Sequence, residues 1–210
     1  MAAAMTMGLA ACGSTASSTA AADSTPAAST AESEETSAAE STGGKVYTVG
    51  ICQLVQHDAL DAATQGFKDA LTEKLGEGNV KFDEQNASGD SANCATIVNG
   101  FVSNGVDLIL ANATAPLQAA AQATADIPVL GTSITDYATA LDISDWTGTV
   151  GNNLSGTSDL APLDQQAAMI QELFPDAQRV GLLHCSAEPT SAYKCTVVQA
   201  SLNEKGTTLS

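Results

Sequence analysis

The chain has 210 residues, and its 24 acidic side chains outnumber its 7 basic ones, which gives a formal net charge of −17. A charge of this sign repels phosphate groups and argues against nucleic acid as a partner. Apolar residues make up 44% of the chain but aromatic residues only 4%, so a core must be built mainly from Ala, Val, Leu and Ile. No segment is long and apolar enough to predict a transmembrane helix.

The first residues have the pattern of a bacterial lipobox. Residues 1–11 are mostly small or apolar and end in Leu-Ala-Ala, directly before Cys12. Signal peptidases cut after small residues, and the Cys that follows the cut carries the lipid anchor. We therefore expect residues 1–12 to be the remnant of a lipoprotein signal, with lipidated Cys12 holding the protein on the extracytoplasmic face of the cell membrane. The alternative is an Ala-rich start with an incidental Cys.

A polar segment follows at residues 13–44. It consists almost wholly of Ser, Thr, Ala, Glu and Gly and contains no aromatic residue and no Leu, Ile, Val or Met. Such a segment buries too little apolar surface to offset its conformational entropy, so we expect it to be disordered. A flexible coil of this length spans roughly 30 Å, which suits a tether between a membrane and a domain.

Strand and helix patterns alternate from residue 45 onward. Short apolar runs predict strands at residues 46–51, 80–82, 106–111 and 127–130, and helical spacing predicts helices at residues 58–75, 91–103 and 114–125. This alternation predicts an α/β fold in which helices cover a Rossmann-like parallel sheet. Ligands of such sheets bind where strands lead into helices, so the candidate loops are residues 52–58, 112–114 and 131–136.

The rest of the chain continues this pattern less regularly. A polar stretch around Trp146 predicts a crossover, and the following patterns predict helix, strand, helix and strand at residues 163–174, 179–184, 191–204 and 207–210. We therefore expect a first α/β lobe at residues 45–145. Residues 146–210 are expected to form the crossover and part of a second, similar lobe.

Eight short segments carry a resemblance to a known family. They are GICQLVQHDALD (50–61), GFKDAL (66–71), NGVDLI (104–109), AT (113–114), IPV (127–129), ITD (134–136), GTSD (156–159) and CSAEPTS (185–191). In order and spacing they resemble the ABC transporter substrate-binding lipoproteins of the type I periplasmic-binding fold. The resemblance implies two lobes that close over one small molecule, ABC permease subunits as partners, no cofactor and no catalysis.

The same resemblance bears on the ligand and on the length of the chain. Members of this branch are linked to uptake of tryptophan, tyrosine or other amino acids, so the expected ligand is an amino acid. Two ordinary lobes need roughly 250 residues or more, whereas only residues 45–210 follow the tether. We therefore expect a truncated product in which the second lobe is only partly present.

Ten side chains are implied as ligand contacts by their places in these segments. They are Gln53, His57, Thr114, Ser133, Thr135, Asp136, Ser158, Asp159, Ser186 and Ser191. Thr114 would hold a ligand carboxylate at a helix start, and Asp136 would pair with a ligand ammonium. The alternatives are local: Thr114, Ser158 and Ser191 would be helix N-caps and Asp136 a turn cap. His57 would then be a solvated loop residue.

Four cysteines remain after Cys12, and they allow three disulfide pairings or free buried thiols. They are Cys52, Cys94, Cys185 and Cys195. None belongs to a CxxC pair, and the two histidines do not complete a zinc spacing, so no metal site is predicted. The chain has no Walker-type phosphate loop, no dinucleotide fingerprint and no Gly-x-Ser-x-Gly element, so no catalytic residue and no cofactor are predicted.

Three other functions are compatible with this pattern. A nucleoside- or sugar-binding lipoprotein of the same superfold would be favoured by paired aromatic residues in the cleft, for which only Tyr137 and Trp146 are available. A ligand-sensing surface receptor would pass its ligand state to a sensor kinase. An enzyme of flavodoxin-like build would carry a coloured cofactor.

Overall fold

The computed structural model describes residues 45–204 and 208–209. The predicted lipobox and tether therefore lie outside the described residues. Within the described part, strands and helices alternate in chain order: β1 (Tyr47–Gln53), α1 (Asp58–Leu75), β2 (Val80–Asn86), α2 (Ser91–Asn104), β3 (Leu108–Asn112), α3 (Thr114–Ala123), β4 (Val129–Ile134), α4 (Tyr137–Ala140), β5 (Leu154–Ser158), α5 (Leu163–Leu173), β6 (Arg179–Val180), α6 (Pro189–Glu204) and β7 (Thr208–Leu209).

Five strands form one parallel sheet in the order β2-β1-β3-β4-β5, and β6 pairs in parallel with β7. The predicted parallel α/β fold is thereby confirmed. β1 lies between β2 and β3, and both neighbours run parallel to it, so the strand ends that lead into α1, α2 and α3 share one edge of the sheet. The connecting segments between parallel strands are helices because such strands require a crossover.

The central strands are buried because helices cover both faces of the sheet. On one face Val49, Ile51 and Leu110 form a core against which α1 packs through Phe67 and Leu71. The opposite face is covered by α2 and α3, and the largest residues of its core are Val98, Phe101, Ile109, Leu117 and Ile134. Near-continuous apolar strands are the sequence signature of this arrangement.

A separate small core lies beside the second, two-stranded sheet. Leu163 and Ala167 from α5 pack against Val198 and Leu202 from α6. The order of these elements agrees with the sequence, but the predicted strand at residues 179–184 extends only over Arg179–Val180. Among the described residues, β6 pairs only with the two residues of β7, which explains its length.

Two elements were not predicted. The strand β5 reads LSGTS and is largely exposed, so it lacks the apolar run that identifies the other strands. It forms because the edge of β4 accepts it in parallel pairing. The short helix α4 begins after Asp136, whose side chain accepts a hydrogen bond from the Thr139 N–H.

Tyr137 links β4 to β5 through its hydroxyl, which lies 3.0 Å from the Gly131 carbonyl and 3.2 Å from the Thr157 carbonyl. Burial raises the pKa of Tyr137 from 10.0 to about 12. The folded protein therefore keeps this proton more tightly than the unfolded chain does. Stability from this group is complete below about pH 10 and is lost as the pH rises to about 12.

Replacement Tyr137→Phe is expected to cost about 1 kcal/mol at neutral pH, the usual value of a buried hydrogen bond. It should also reduce the loss of stability between about pH 10 and pH 12 relative to the wild type. Urea unfolding of both proteins across this range measures both effects. Identical alkaline slopes for the two proteins would contradict the assignment.

Candidate functional site

A cavity of about 540 Å³ opens where β1, β3 and β4 end and α6 begins. Its size is within the range of small-molecule sites. The first wall comes from the β1–α1 loop, the β2–α2 turn, the start of α3 and the end of β4. The second wall comes from the residue after β5 and from the start of α6. The lining residues used below are Leu54, Val55, His57, Leu60, Ala113, Thr114, Ala115, Ser133, Thr135, Asp159, Glu188, Thr190 and Lys194.

The backbone is strained at two positions of this cavity. Ala113 has φ +105° and Ser133 has φ +57°, although neither is a glycine. Backbone strain of this kind costs of order 1–3 kcal/mol and persists where the surrounding structure requires it. At Ala113 the chain leaves β3 with its N–H bonded to the Thr132 carbonyl and turns directly into α3. The strain thus places the first turn of α3 against the cavity.

Relief of the strain at Ala113 predicts a substitution that stabilises the fold, whereas most substitutions destabilise a protein. Ala113→Gly is expected to stabilise the fold by about 1 kcal/mol, because glycine adopts this conformation without a steric cost. Ala115→Gly, two residues further and inside α3, is the matched control and is expected to destabilise by up to about 1 kcal/mol. Urea unfolding distinguishes the two signs. A loss of stability for both variants would contradict the assigned strain.

The start of α3 forms part of the wall of the cavity. Its N-cap residue Ala113 makes no side-chain hydrogen bond to the first turn, and both Thr114 and Ala115 line the cavity. The first N–H groups of a helix have no partner within the helix and carry a partial positive charge. Within the described residues, the start of α3 therefore faces the cavity without a side-chain cap from its N-cap residue.

The start of α6 is different because Glu188 caps it. The Glu188 carboxylate accepts hydrogen bonds from the Ser191 N–H at 2.6 Å and from the Thr190 hydroxyl at 2.7 Å. The Thr114 side chain also helps to lower the pKa of this carboxylate, so Glu188 lies next to the start of α3 as well. Burial alone would raise the pKa of Glu188, but these hydrogen bonds outweigh it and hold the pKa below the ordinary value. Glu188 therefore stays ionised at neutral pH.

Five of the ten predicted contact residues line the cavity. They are His57, Thr114, Ser133, Thr135 and Asp159. Thr114 and Thr135 are buried, while His57 is exposed and accepts a hydrogen bond from the Ala59 N–H as the N-cap of α1. The predicted carboxyl-end loops thus meet at one cavity.

Gln53 lies at the same edge of the sheet but is held by protein groups. It accepts a hydrogen bond from the Thr64 hydroxyl at 2.7 Å and donates one to the Asp61 carboxylate at 2.5 Å. Asn112 joins the network through the Thr64 hydroxyl at 2.9 Å. Gln53 lines a separate polar depression of about 370 Å³ together with Asp61 and Glu84.

The remaining four predicted residues lie outside the lining of the cavity. Asp136 caps α4, and the Ser158 hydroxyl donates to the Thr135 carbonyl at 2.7 Å. The Ser191 N–H is occupied by Glu188, and Ser186 is an exposed residue of the β6–α6 loop. The role of Asp136 agrees with the alternative that the sequence left open for it, whereas Ser191 is not a helix N-cap because α6 begins at Pro189 and Glu188 caps it.

Sequence reasoning missed the charged and apolar parts of the lining. Glu188 and Lys194 both face the cavity, and Leu54, Val55 and Leu60 supply an apolar wall. One sequence signal could have identified Glu188 as a helix cap. A residue directly before a Pro that starts a helix occupies the N-cap position, and an acidic side chain there can accept hydrogen bonds from the first turn. The apolar wall had no such signal, because its residues lie in a loop and at the start of α1.

Comparisons with known proteins show which family this chain is similar to. Residues 48–210 match the family model described as ABC transporter substrate binding protein. Over 149 residues the chain is 39% identical to a tyrosine-binding protein of Clostridioides difficile strain R20291, which corresponds to 70% of this chain and 43% of that protein.

Solved structures give the same result. An ABC domain from Streptococcus pneumoniae in complex with L-Trp superposes with a TM-score of 0.73 at 33% identity, covering 78% of this chain and 56% of that one. A ligand-free, open substrate-binding protein with adhesive properties from Clostridium difficile gives 0.61 at 34% identity, covering 79% and 56%. The chain spans about half the length of the relatives it matches.

These superpositions and the parallel sheet with its cavity at the strand ends define the type I periplasmic-binding fold. The chain belongs to the ABC transporter substrate-binding protein family. The predicted family and fold class are confirmed, and the location that follows from the family is extracytoplasmic. Among the described residues, none of the helices combines the length and the hydropathy of a bilayer span.

Proposed function

We propose that the protein is the solute-binding component of an ABC importer and that it captures an aromatic amino acid. The observation that carries the proposal is the cavity between the starts of α3 and α6, which combines helix donors, two carboxylates and an apolar wall. The named ligands of the two relatives above, tyrosine and L-Trp, support an aromatic amino acid.

The arrangement suggests how an amino acid would be oriented. Its carboxylate would accept hydrogen bonds from the uncapped first turn of α3, at Thr114 and Ala115. Its ammonium would lie between the carboxylates of Asp159 and Glu188, which gives charge-assisted hydrogen bonds. We propose Asp159 as the ammonium partner in place of Asp136, since Asp136 lies outside the cavity and caps α4.

The ligand side chain would lie along the apolar wall formed by Leu54, Val55 and Leu60. No aromatic residue lines the cavity within the described part of the chain, so stacking on a sugar or nucleoside finds no support there. Ligand binding would shift an equilibrium between open and closed forms, and permease subunits would recognise the closed form.

The lipid anchor is part of this proposal. Cys12 would hold the protein on the extracytoplasmic face of the membrane, and residues 13–44 would serve as the tether. Replacement Cys12→Ser is expected to move the protein from the membrane fraction to the soluble fraction of the producing bacterium. An unchanged distribution would contradict lipidation at this residue.

The ligand class is tested by thermal unfolding of the full chain with a panel of solutes. L-Tyrosine and L-tryptophan at about 100 times their dissociation constant are expected to stabilise the protein by about 2.7 kcal/mol. For a chain of this size the shift is roughly 5–10 °C. L-Leucine, ribose and uridine serve as comparison solutes. A shift with ribose or uridine and none with the amino acids would overturn the proposal.

A further inference from the structure

Two buried thiols lie together beside the cavity. Cys52 on β1 and Cys94 near the start of α2 are both 0% exposed and belong to one core cluster, and each thiol affects the pKa of the other. The four cysteines of the described residues are reduced in this structure, and Cys185 and Cys195 lie nearer the surface.

The packing of α2 on β1 explains why these thiols meet. Gly50 and Cys52 are two residues apart on a strand and therefore point to the same face of the sheet. A Cβ built on Gly50 would lie 2.6 Å from the Phe101 ring, so α2 approaches β1 unusually closely there. Cys94 is seven residues, or two helical turns, before Phe101 and lies on the same face of α2. The close approach at Gly50 thus continues to Cys52.

Hydrogen bonds hold the two elements in this register. The Ala87 N–H donates to the Gln53 carbonyl at 2.9 Å, and the Gly89 N–H donates to the Leu54 carbonyl at 2.7 Å. The turn before α2 is therefore fixed to the two residues that directly follow Cys52. A disulfide needs Cβ atoms about 3.5–4.5 Å apart, so the bond requires that α2 pack as closely on β1 at Cys52 as it does at Gly50.

We propose that Cys52 and Cys94 form a disulfide bond in the extracytoplasmic protein, joining β1 to α2 next to the cavity. Extracytoplasmic compartments favour such bonds. Formation breaks both S–H bonds and makes one S–S bond, while two electrons and two protons pass to the disulfide of a thiol–disulfide oxidoreductase, which becomes a dithiol. The bond would fix Leu54 and Gly89, which both line the cavity.

Folding determines when the bond can form. Burial raises the pKa of Cys52 to about 12, and burial also raises the pKa of Cys94. The thiolate is the reacting species in exchange, so the reduced and folded protein reacts slowly. The bond is therefore expected to form before α2 closes over β1.

The decisive test uses the full chain purified from an extracytoplasmic compartment. The protein is unfolded without reductant, treated with N-ethylmaleimide and digested with trypsin. The seven Lys and Arg residues place Cys52, Cys94, Cys185 and Cys195 in four different peptides. We expect the Cys52 and Cys94 peptides to be linked and free of maleimide, with Cys185 labelled. Maleimide on both Cys52 and Cys94, or a link from either to another Cys, would overturn the proposal.

A second measurement gives the effect on stability. In a Cys185→Ser/Cys195→Ser background, a phosphine reductant is expected to lower the melting temperature by about 10 °C, because the bond closes a loop of about 40 residues. Addition of Cys52→Ala and Cys94→Ala should abolish this response. A response that persists without these two thiols would count against the proposal. The proposal does not use the identity of the ligand, so it stands or fails separately from amino-acid binding.

Discussion

Replacement Gly156→Ala is expected to destabilise the protein by about 3 kcal/mol or more, the largest effect on stability that we predict for a single substitution. Gly156 lies in β5 with φ +155°, a conformation that side chains rarely adopt. A Cβ there would collide with the Gly131 carbonyl and with the Tyr137 hydroxyl. The Gly131 carbonyl is backbone and is already bonded by Tyr137, so neither group can withdraw without separating β4 from β5.

The matched control is Gly100→Ala, also a single added methyl group. Gly100 lies inside α2, and a Cβ there meets no atom within 4 Å. This variant is expected to gain about 0.5–1 kcal/mol, because alanine has the higher helix propensity. Thermal unfolding should show a fall of roughly 10 °C for Gly156→Ala and a small rise for Gly100→Ala. A Gly156→Ala melting temperature within about 2 °C of the wild type would contradict the described β4–β5 pairing.

Replacement Asp159→Asn is expected to weaken amino-acid binding by about 10- to 100-fold, the largest effect on affinity that we predict. The reason is the loss of a charge-assisted hydrogen bond to the ligand ammonium, which is worth about 1.5–3 kcal/mol. Asp159 anchors β5 to β4 through its backbone N–H, which donates to the Ile134 carbonyl at 2.9 Å. The substitution keeps that bond, so stability should change little.

Asp136→Ala provides the comparison, since sequence reasoning placed the ammonium partner at Asp136. Its loss removes the cap of α4 and is expected to cost about 1 kcal/mol of stability with no change in affinity. Isothermal titration and urea unfolding of both variants separate the two roles. Full binding by Asp159→Asn together with weak binding by Asp136→Ala would show instead that Asp136 pairs with the ligand ammonium.

The elements that the sequence predicts well are those with local signals at both ends. Helix α1 occupies the predicted residues 58–75, because a polar cap precedes it and Gly76 follows it with φ +87°. The central strands were found because burial on both faces leaves an apolar run. The strand β5 has neither signal and depends on contacts with Gly131 and Tyr137, which are distant in sequence.

The candidate site also has a part that the sequence predicts and a part that depends on tertiary packing. The strand-end loops follow from topology alone, and they do meet at the cavity. Which acidic residue faces it depends on the backbone: Asp136 turns to cap α4, and Asp159 is left at the cavity. Glu188 caps α6 and lies next to Thr114 of α3, and this position depends on the packing of distant elements, which a single sequence does not give.

The central claim is that the cavity between α3 and α6 recognises both charged groups of an aromatic amino acid. Isothermal titration of the full chain with L-tyrosine, tyramine and 3-(4-hydroxyphenyl)propionate tests it directly, because each analogue lacks one charged group. We predict that L-tyrosine binds and that each analogue binds about 10- to 100-fold more weakly. No binding of L-tyrosine or L-tryptophan, or equal binding of the two analogues and L-tyrosine, would contradict the account.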